Sequence, residues 1–236
     1  MSTLILVRHG QPRSFTADAD RLSDLGFQQS ELLGEYWKSE GLQVDAAYHG
    51  SLRRQRETGE TVAKSYGAGF PELGVIEGLN EYDAPPITSI LAPLLAERDE
   101  SFRKLYGAWK AGGPQKEQNK RFQLMFEPLT TCWCEGTLTA PDVEPFSAFR
   151  SRVTDALDKI MGAAGRGSTV AAFTSGGVIG TAIQQVLEAP AIQALHLNWR
   201  VRNASLTPFL FDGGRMSLDG FNLIPHLETP DVISFR

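Results

Sequence analysis

An imidazole and a guanidinium stand side by side in Leu6-Val7-Arg8-His9-Gly10-Gln11, directly after the aliphatic run Thr3 to Val7. That pair suits phosphoryl transfer. Arg8 supplies planar, bidentate donors for phosphate oxygens, and His9 supplies a nitrogen nucleophile that is neutral near pH 7. A second candidate is Thr174-Ser175-Gly176-Gly177, where a serine hydroxyl and the backbone N–H groups of Gly176 and Gly177 meet the start of a helix and can bind phosphate. Cys132-Trp133-Cys134 presents two thiols across one residue with no nearby His or further Cys, too few ligands for a tetrahedral metal site.

The elements that must position these groups alternate. Thr3 to Val7 reads as a buried parallel strand that delivers Arg8 and His9 to its carboxyl end, the end at which open α/β sheets bind ligands. Ser23 is a candidate N-cap for a helix carrying Leu25, Leu32, Leu33, Tyr36 and Trp37, which Gly41 stops. Val44 to Tyr48 reads as a strand, His49-Gly50-Ser51 as a turn, Leu52 to Tyr66 as a helix, and Gly74 to Glu77 as a third strand. Pro85-Pro86 breaks the alternation. From Ile87 to about Thr139 the pattern is helical, giving an expected inserted helical cap over residues 84–142 within a single domain spanning residues 1–236. Its middle, Arg98 to Arg121, holds seven Lys or Arg against three acids; a solvated face and a funnel for anionic substrate both fit. A helix carrying Phe146, Phe149, Val153, Leu157 and Ile160 follows, then a strand from Thr169 to Phe173 and a helix from Val178. Ala204 to Phe211 and Met216 to Asn222, joined by Asp212-Gly213-Gly214, read as a hairpin at one sheet edge.

Composition narrows the class. The 236 residues are 42% hydrophobic and 22% charged, ordinary for a globular protein with a full core. A net charge of −5 argues against a nucleic-acid or anionic-membrane partner, and no run approaches the roughly 20 apolar residues of a membrane span. The N-terminus does not read as a signal peptide. With only Cys132 and Cys134, a disulfide across one residue would be strained, so a reducing cytoplasm is expected.

Leu6-Val7-Arg8-His9-Gly10-Gln11 resembles the opening signature of the histidine phosphatase (phosphoglycerate mutase-like) superfamily. Tyr48-His49-Gly50-Ser51-Leu52-Arg53-Arg54-Gln55-Arg56-Glu57-Thr58 is similar to the family's segment carrying its second phosphate arginine, which makes Arg54 a clamp. Leu79-Asn80-Glu81-Tyr82-Asp83 resembles the site of the carboxylate that protonates the leaving oxygen; Glu81 is the implied general acid and Asp83 the runner-up. The resemblance covers most of the chain outside roughly residues 84–142. It implies a three-layer α/β/α sandwich with a mostly parallel sheet. One position departs from the pattern: Ser175 stands where the family has a second histidine that donates to phosphoryl oxygens. Losing such a donor costs roughly 10²–10³ in rate, by analogy with oxyanion holes. His49, where the family commonly has a small residue, and His226, in a tail segment seen in many members, are additional candidates for the site.

The expected function is therefore a phosphomonoester phosphatase acting through phosphohistidine, with no metal or other cofactor and a small phosphorylated substrate as partner. A catalytically weak phospho-ligand binder is the alternative that Ser175 raises. A phosphoglycerate mutase is a third reading, disfavoured because Gln11-Pro12-Arg13-Ser14-Phe15-Thr16 departs from the mutases' own extension. A serine hydrolase built on Ser175 fails because Phe173 fills the place of the nucleophile elbow's first glycine.

Overall fold

The computed structural model describes residues 1–13, 18–213 and 215–235. Ser14-Phe15-Thr16 and the second glycine of the expected Gly213-Gly214 turn lie outside the described residues. The chain divides into two compact units, Met1–Glu81 with Arg152–Arg236, and Tyr82–Ser151. No helix among the described residues is long and apolar enough to cross a membrane.

The first unit is built on one six-stranded mixed sheet in the order β3-β2-β4-β1-β5-β6. Strands β1 (Ser2–Arg8), β2 (Ala46–His49), β3 (Leu73–Val75) and β4 (Thr169–Thr174) run parallel. Strands β5 (Leu206–Asp212) and β6 (Arg215–Leu218) add the antiparallel hairpin on the β1 side. The two central strands are buried on both faces, which is why their sequences read as continuous apolar runs rather than alternating ones. The pleat sends Ile5, Val7, Ala47, Ala171 and Phe173 to one side, into a core with Leu33 and Trp37 of helix α1 (Asp24–Ser39) and Val62 of helix α2 (Arg53–Tyr66). The alternate set, Leu4, Leu6, Val170 and Ala172, is equally buried on the opposite face. That is the side of helix α8 in a three-layer α/β/α arrangement.

Several boundaries differ from the sequence reading, each for a local reason. Ser23 caps α1 as expected, its Oγ accepting from the Gly26 N–H at 3.1 Å. β3 is shorter than Gly74 to Glu77 because Glu77–Leu79 forms a 3₁₀ turn, with Gly78 where an added Cβ would lie 2.5 Å from the Arg152 carbonyl oxygen. Helix α8 (Gly176–Val186) begins two residues before Val178, because extended Ser175 is itself the N-cap. β5 starts at Leu206 rather than Ala204, whose φ of +56° is left-handed and ends strand geometry there. In the second unit helix begins before Ile87, because Pro85-Pro86 sits in the single turn α3 (Ala84–Pro86), where the first-turn position tolerates proline.

That second unit continues through a π-helical turn Ile87–Leu91, α4 (Ala92–Arg98), α5 (Glu100–Lys110) and α6 (Gln115–Cys134). Phe102, Met125, Phe126, Leu129 and Trp133 are buried in it. Three of its basic residues are tied locally: Arg103 Nε donates to the Ala96 carbonyl at 2.7 Å, Arg121 Nη1 to the Gly112 carbonyl at 2.6 Å, and Lys104 pairs with Glu100 at 3.1 Å. Helix α7 (Phe146–Ala163) runs from this unit into the first, and α9 (Ile192–Asn198) follows α8.

Candidate active site

His9 emerges at the carboxyl end of β1 and is 4% exposed. Its backbone is fixed on both sides: its N–H donates to the Thr174 carbonyl at 2.8 Å, and its carbonyl accepts from Ala204 N–H and Asn203 Nδ2, both at 3.2 Å. Nδ1 lies 2.8 Å from the Gly10 carbonyl oxygen. A carbonyl only accepts, so the ring hydrogen sits on Nδ1 and Nε2 carries a bare lone pair. Arg54 Nε donates to that nitrogen at 3.2 Å. Burial first, and then the Arg54 and Arg8 cations, hold the imidazole well below its ordinary pKa, so the ring is neutral at pH 7.

Arg54 belongs to the first turn of α2, whose N-cap, Leu52, has no side chain able to bond the helix terminus. Asp20 does that work from the β1–α1 loop. Its Oδ2 accepts from the Arg53 N–H at 2.7 Å while Oδ1 accepts from Arg54 Nη1 at 2.5 Å. One carboxylate thus caps the helix and aims the guanidinium at His9. Four residues on, Thr58 Oγ1 accepts from the Gly10 N–H at 3.0 Å and donates to the Arg54 carbonyl at 2.7 Å. Gly10 and Gly26 have no room for side chains: a Cβ on Gly10 would lie 2.4 Å from the Gly26 carbonyl oxygen. Arg53 and Arg56 point away into ion pairs, Arg53 with Glu57 at 2.7 Å and Arg56 with Glu60 at 3.8 Å.

Arg8, 9% exposed, directs Nη1 to the backbone carbonyls of Val201 and Phe235, so the segment after β6 closes around the strand end. Ser175 follows the β1–β4 rung that pairs Arg8 with Thr174, which brings it level with His9 on the neighbouring strand. It is fully buried, and its Oγ accepts from Gln55 Nε2 at 2.8 Å. Gly176 opens α8 where a Cβ would lie 2.1 Å from Asn198 Oδ1. The next amide is already engaged: Gly177 N–H donates to Glu81 Oε2 at 2.9 Å. The Glu81 main chain is held by Arg152, whose guanidinium donates to the carbonyls of Gly78, Asn80 and Glu81 at 3.3, 2.7 and 3.2 Å.

Two further histidines, His49 and His226, are candidates for the site. His49 is buried with Nδ1 2.6 Å from the Gly50 carbonyl, and pairs across the ladder with Phe173, one side-chain layer below the His9–Ser175 level. His226 packs against Tyr36, ring centroids 6.3 Å apart. Tyr36 is ten residues along α1 from Gly26, about 15 Å at 1.5 Å per residue, so the structure does not bring His226 to the His9 cluster. The sequence reading missed Asp20, Gln55 and Thr58. None of the three carries a local signal beyond residue type, since each acts on a partner far along the chain. A cavity of about 810 Å³ lies at the other end of the sheet, lined by Ser2, Gly165, Arg166 and Phe211, and holds none of these groups.

Comparison with known proteins bears on the family and the fold. The profile of the histidine phosphatase superfamily (branch 1) matches residues 4–127 and 96–224. A 2,3-bisphosphoglycerate-dependent phosphoglycerate mutase from Methylorubrum extorquens (strain PA1) is 36% identical over 86 residues, 34% of this chain and 41% of that protein. The chain thus spans about two fifths of the length of the curated relatives it matches. Among solved structures, Bacillus stearothermophilus YhfR superposes with a TM-score of 0.68 at 21% identity, covering 97% of this chain and 100% of that one. Phosphoglycerate mutase from Bacillus anthracis str. Sterne gives 0.66 at 20% identity, covering 96% and 95%. A phosphoserine phosphatase variant from Entamoeba histolytica, in complex with phosphoserine, gives 0.63 at 20%, covering 96% and 100%. These structures share the fold, and the profile match over most of the chain establishes that the protein belongs to the histidine phosphatase superfamily.

Proposed function

We propose that this chain is a phosphomonoester phosphatase working through a phosphohistidine intermediate at His9. The observation that carries the reading is the fixed tautomer: Nδ1–H is spent on Gly10, leaving Nε2 unprotonated, buried and facing Arg54. In the proposed cycle Nε2 attacks phosphorus in line, the P–O bond to the alcohol breaks, and Glu81 gives its proton to the leaving oxygen. Water then attacks phosphorus, loses a proton to Glu81, and the P–N bond breaks to release phosphate and neutral His9. Arg54 exchanges its hydrogen bond to Nε2 for the equatorial oxygens, assisted by Arg8, Ser175 Oγ and the Gly176 N–H. No step calls for a metal ion. The substrate in this reading is a small phosphorylated molecule. A reducing, cytoplasmic setting is part of the proposal, supported by the unpaired Cys132 and Cys134.

The test is phosphate release from p-nitrophenyl phosphate with EDTA present. Turnover by the native chain and a loss of at least about 10³-fold in His9→Ala are expected. Undiminished activity in His9→Ala would refute the mechanism. Phosphoserine and 3-phosphoglycerate belong in the same assay, because structural neighbours are a phosphoserine phosphatase crystallised with each.

A second reading, a phosphate-binding relative with little turnover, is favoured by donors already spent: Gly177 N–H is committed to Glu81, and Arg8 Nη1 to two carbonyls. The resemblance adds that Ser175 stands where the family has an imidazole donor. That reading expects tight orthovanadate binding without phosphate release.

A further inference from the structure

We propose that Gln55 is a positioning residue that makes Ser175 a one-way hydrogen-bond donor to the phosphoryl group at His9, with Gly50, Gln55 and Ser175 forming one interdependent set. The proposal rests on the phosphatase reading above and deepens it. Gln55 is fully buried in the first turn of α2, beside Arg54. Its amide orientation is fixed by the Leu79 carbonyl, which accepts from Nε2 at 2.9 Å and so puts the nitrogen on that side. The same Nε2 donates to Ser175 Oγ at 2.8 Å. An amide nitrogen only donates, so Ser175 spends a lone pair there and its own hydrogen must go elsewhere. Among the described residues the Ser175 hydroxyl makes no other hydrogen bond, and the residue is fully buried. A buried hydroxyl with an unspent hydrogen carries a desolvation cost that an arriving acceptor removes.

Position decides what arrives. Ser175 and His9 end adjacent parallel strands at the same level, about 4.8 Å apart by strand spacing, so oxygens of a phosphoryl group on His9 Nε2 come within reach of the Ser175 hydroxyl. Consecutive residues of one helical turn therefore serve the two strand ends: Arg54 addresses His9 and Gln55 addresses Ser175. Gly50 completes the set. A Cβ there would lie 2.0 Å from Gln55 Oε1 and 2.5 Å from Asn80 Oδ1, so the amide fits only beside a glycine. Among the described residues Gln55 Oε1 itself is buried without a partner, so the side chain is anchored there through its NH₂ group.

A double-mutant cycle tests this, with Gln55→Met in the native and Ser175→Ala backgrounds. The readouts are kcat and KM for p-nitrophenyl phosphate, the Kd of orthovanadate, and the thermal midpoint. With Ser175 present, Gln55→Met lowers kcat and weakens orthovanadate binding about tenfold, with KM changed less than about twofold. In Ser175→Ala the same substitution produces no further loss. Equal losses in both backgrounds, or no loss in either, would overturn the proposal and leave Gln55 a packing residue. If Gln55→Met fails to fold, Gln55→Glu repeats the cycle with the shape kept and the donor replaced by an acceptor, which takes the Ser175 hydrogen and gives the same loss. A native chain that binds orthovanadate but releases no phosphate sinks the turnover reading alone, and the vanadate arm still decides the role of Gln55. Absence of orthovanadate binding sinks both.

Discussion

His9 keeps Nε2, the nitrogen proposed to attack phosphorus, bare because burial and two flanking arginines both oppose a second proton on the ring. Its ring signals should therefore hold still in NMR spectra between about pH 8 and about pH 6, where an ordinary imidazole titrates. A midpoint near 6.5 for His9 would contradict that account. Ser175 is constrained differently. With the Gln55 amide nitrogen 2.8 Å from its Oγ and no exposed surface, the site has no volume for an imidazole. Ser175→His alone is expected to destabilise the fold by about 1–3 kcal/mol through overpacking. Ser175→His with Gln55→Ala, which vacates the space, should recover most of that loss in thermal unfolding. A stable single variant would show that the pocket is roomier than its contacts state.

At the level of elements, the active-site side chains are set by ends rather than middles: the carboxyl ends of β1 and β4, the first turn of α2 and the start of α8. Each end leaves backbone donors or acceptors unpaired, and here they are paired through side chains from elsewhere in the chain. Asp20 caps α2, Glu81 takes the Gly177 N–H, and Arg152 gathers the carbonyls of Gly78, Asn80 and Glu81. Arg152→Ala deletes three charge-assisted hydrogen bonds at once, and a loss of about 2–3 kcal/mol in stability is expected. Because the same bonds hold the Glu81 main chain, kcat should fall more than KM rises. Unchanged kcat with lowered stability would mean that Arg152 supports the fold without positioning Glu81.

For the molecule as a whole, the segment after β6 is an active contributor to the fold. Gln29 Nε2 donates to the Val232 carbonyl at 2.8 Å, Asn203 N–H to the Ser234 carbonyl at 2.9 Å, and Arg8 Nη1 to the Phe235 carbonyl at 3.0 Å. His226 lies in this segment, 5% exposed, with both ring nitrogens buried and unpartnered among the described residues. Burial lowers its pKa to about 4. Above about pH 6.5 the ring is neutral in folded and unfolded chains alike. Between there and about pH 4 the unfolded chain binds a proton that the folded chain refuses, so stability falls as pH falls, by about 3 kcal/mol for this group. Urea unfolding of the native chain and of His226→Leu at neutral and acid pH measures it. The variant should be more stable at both, with the larger gain at acid pH, and a parallel pH dependence in the two proteins would remove His226 as the cause.

The alternation of apolar runs and helical faces was enough to read the parallel strands, Ser23 as a cap and the delivery of His9 to a strand end, because burial on both faces and capping write themselves into consecutive residues. Arg8-His9-Gly10 and the Arg54 segment were legible for the same reason: each is a short run on one element. Gln55, Asp20 and Thr58 escaped because their roles exist only across 120, 34 and 48 residues of chain, respectively, to Ser175, Arg54 and Gly10. The end of β3 and the start of β5 were likewise decided by tertiary contacts, Gly78 against Arg152 and left-handed Ala204 bonding His9. His226 shows the limit most plainly. Its sequence neighbourhood resembled a site segment, but only the packing of the tail against Tyr36 fixed where the ring goes, since a side chain's surroundings are set by which elements meet and not by which residues adjoin it.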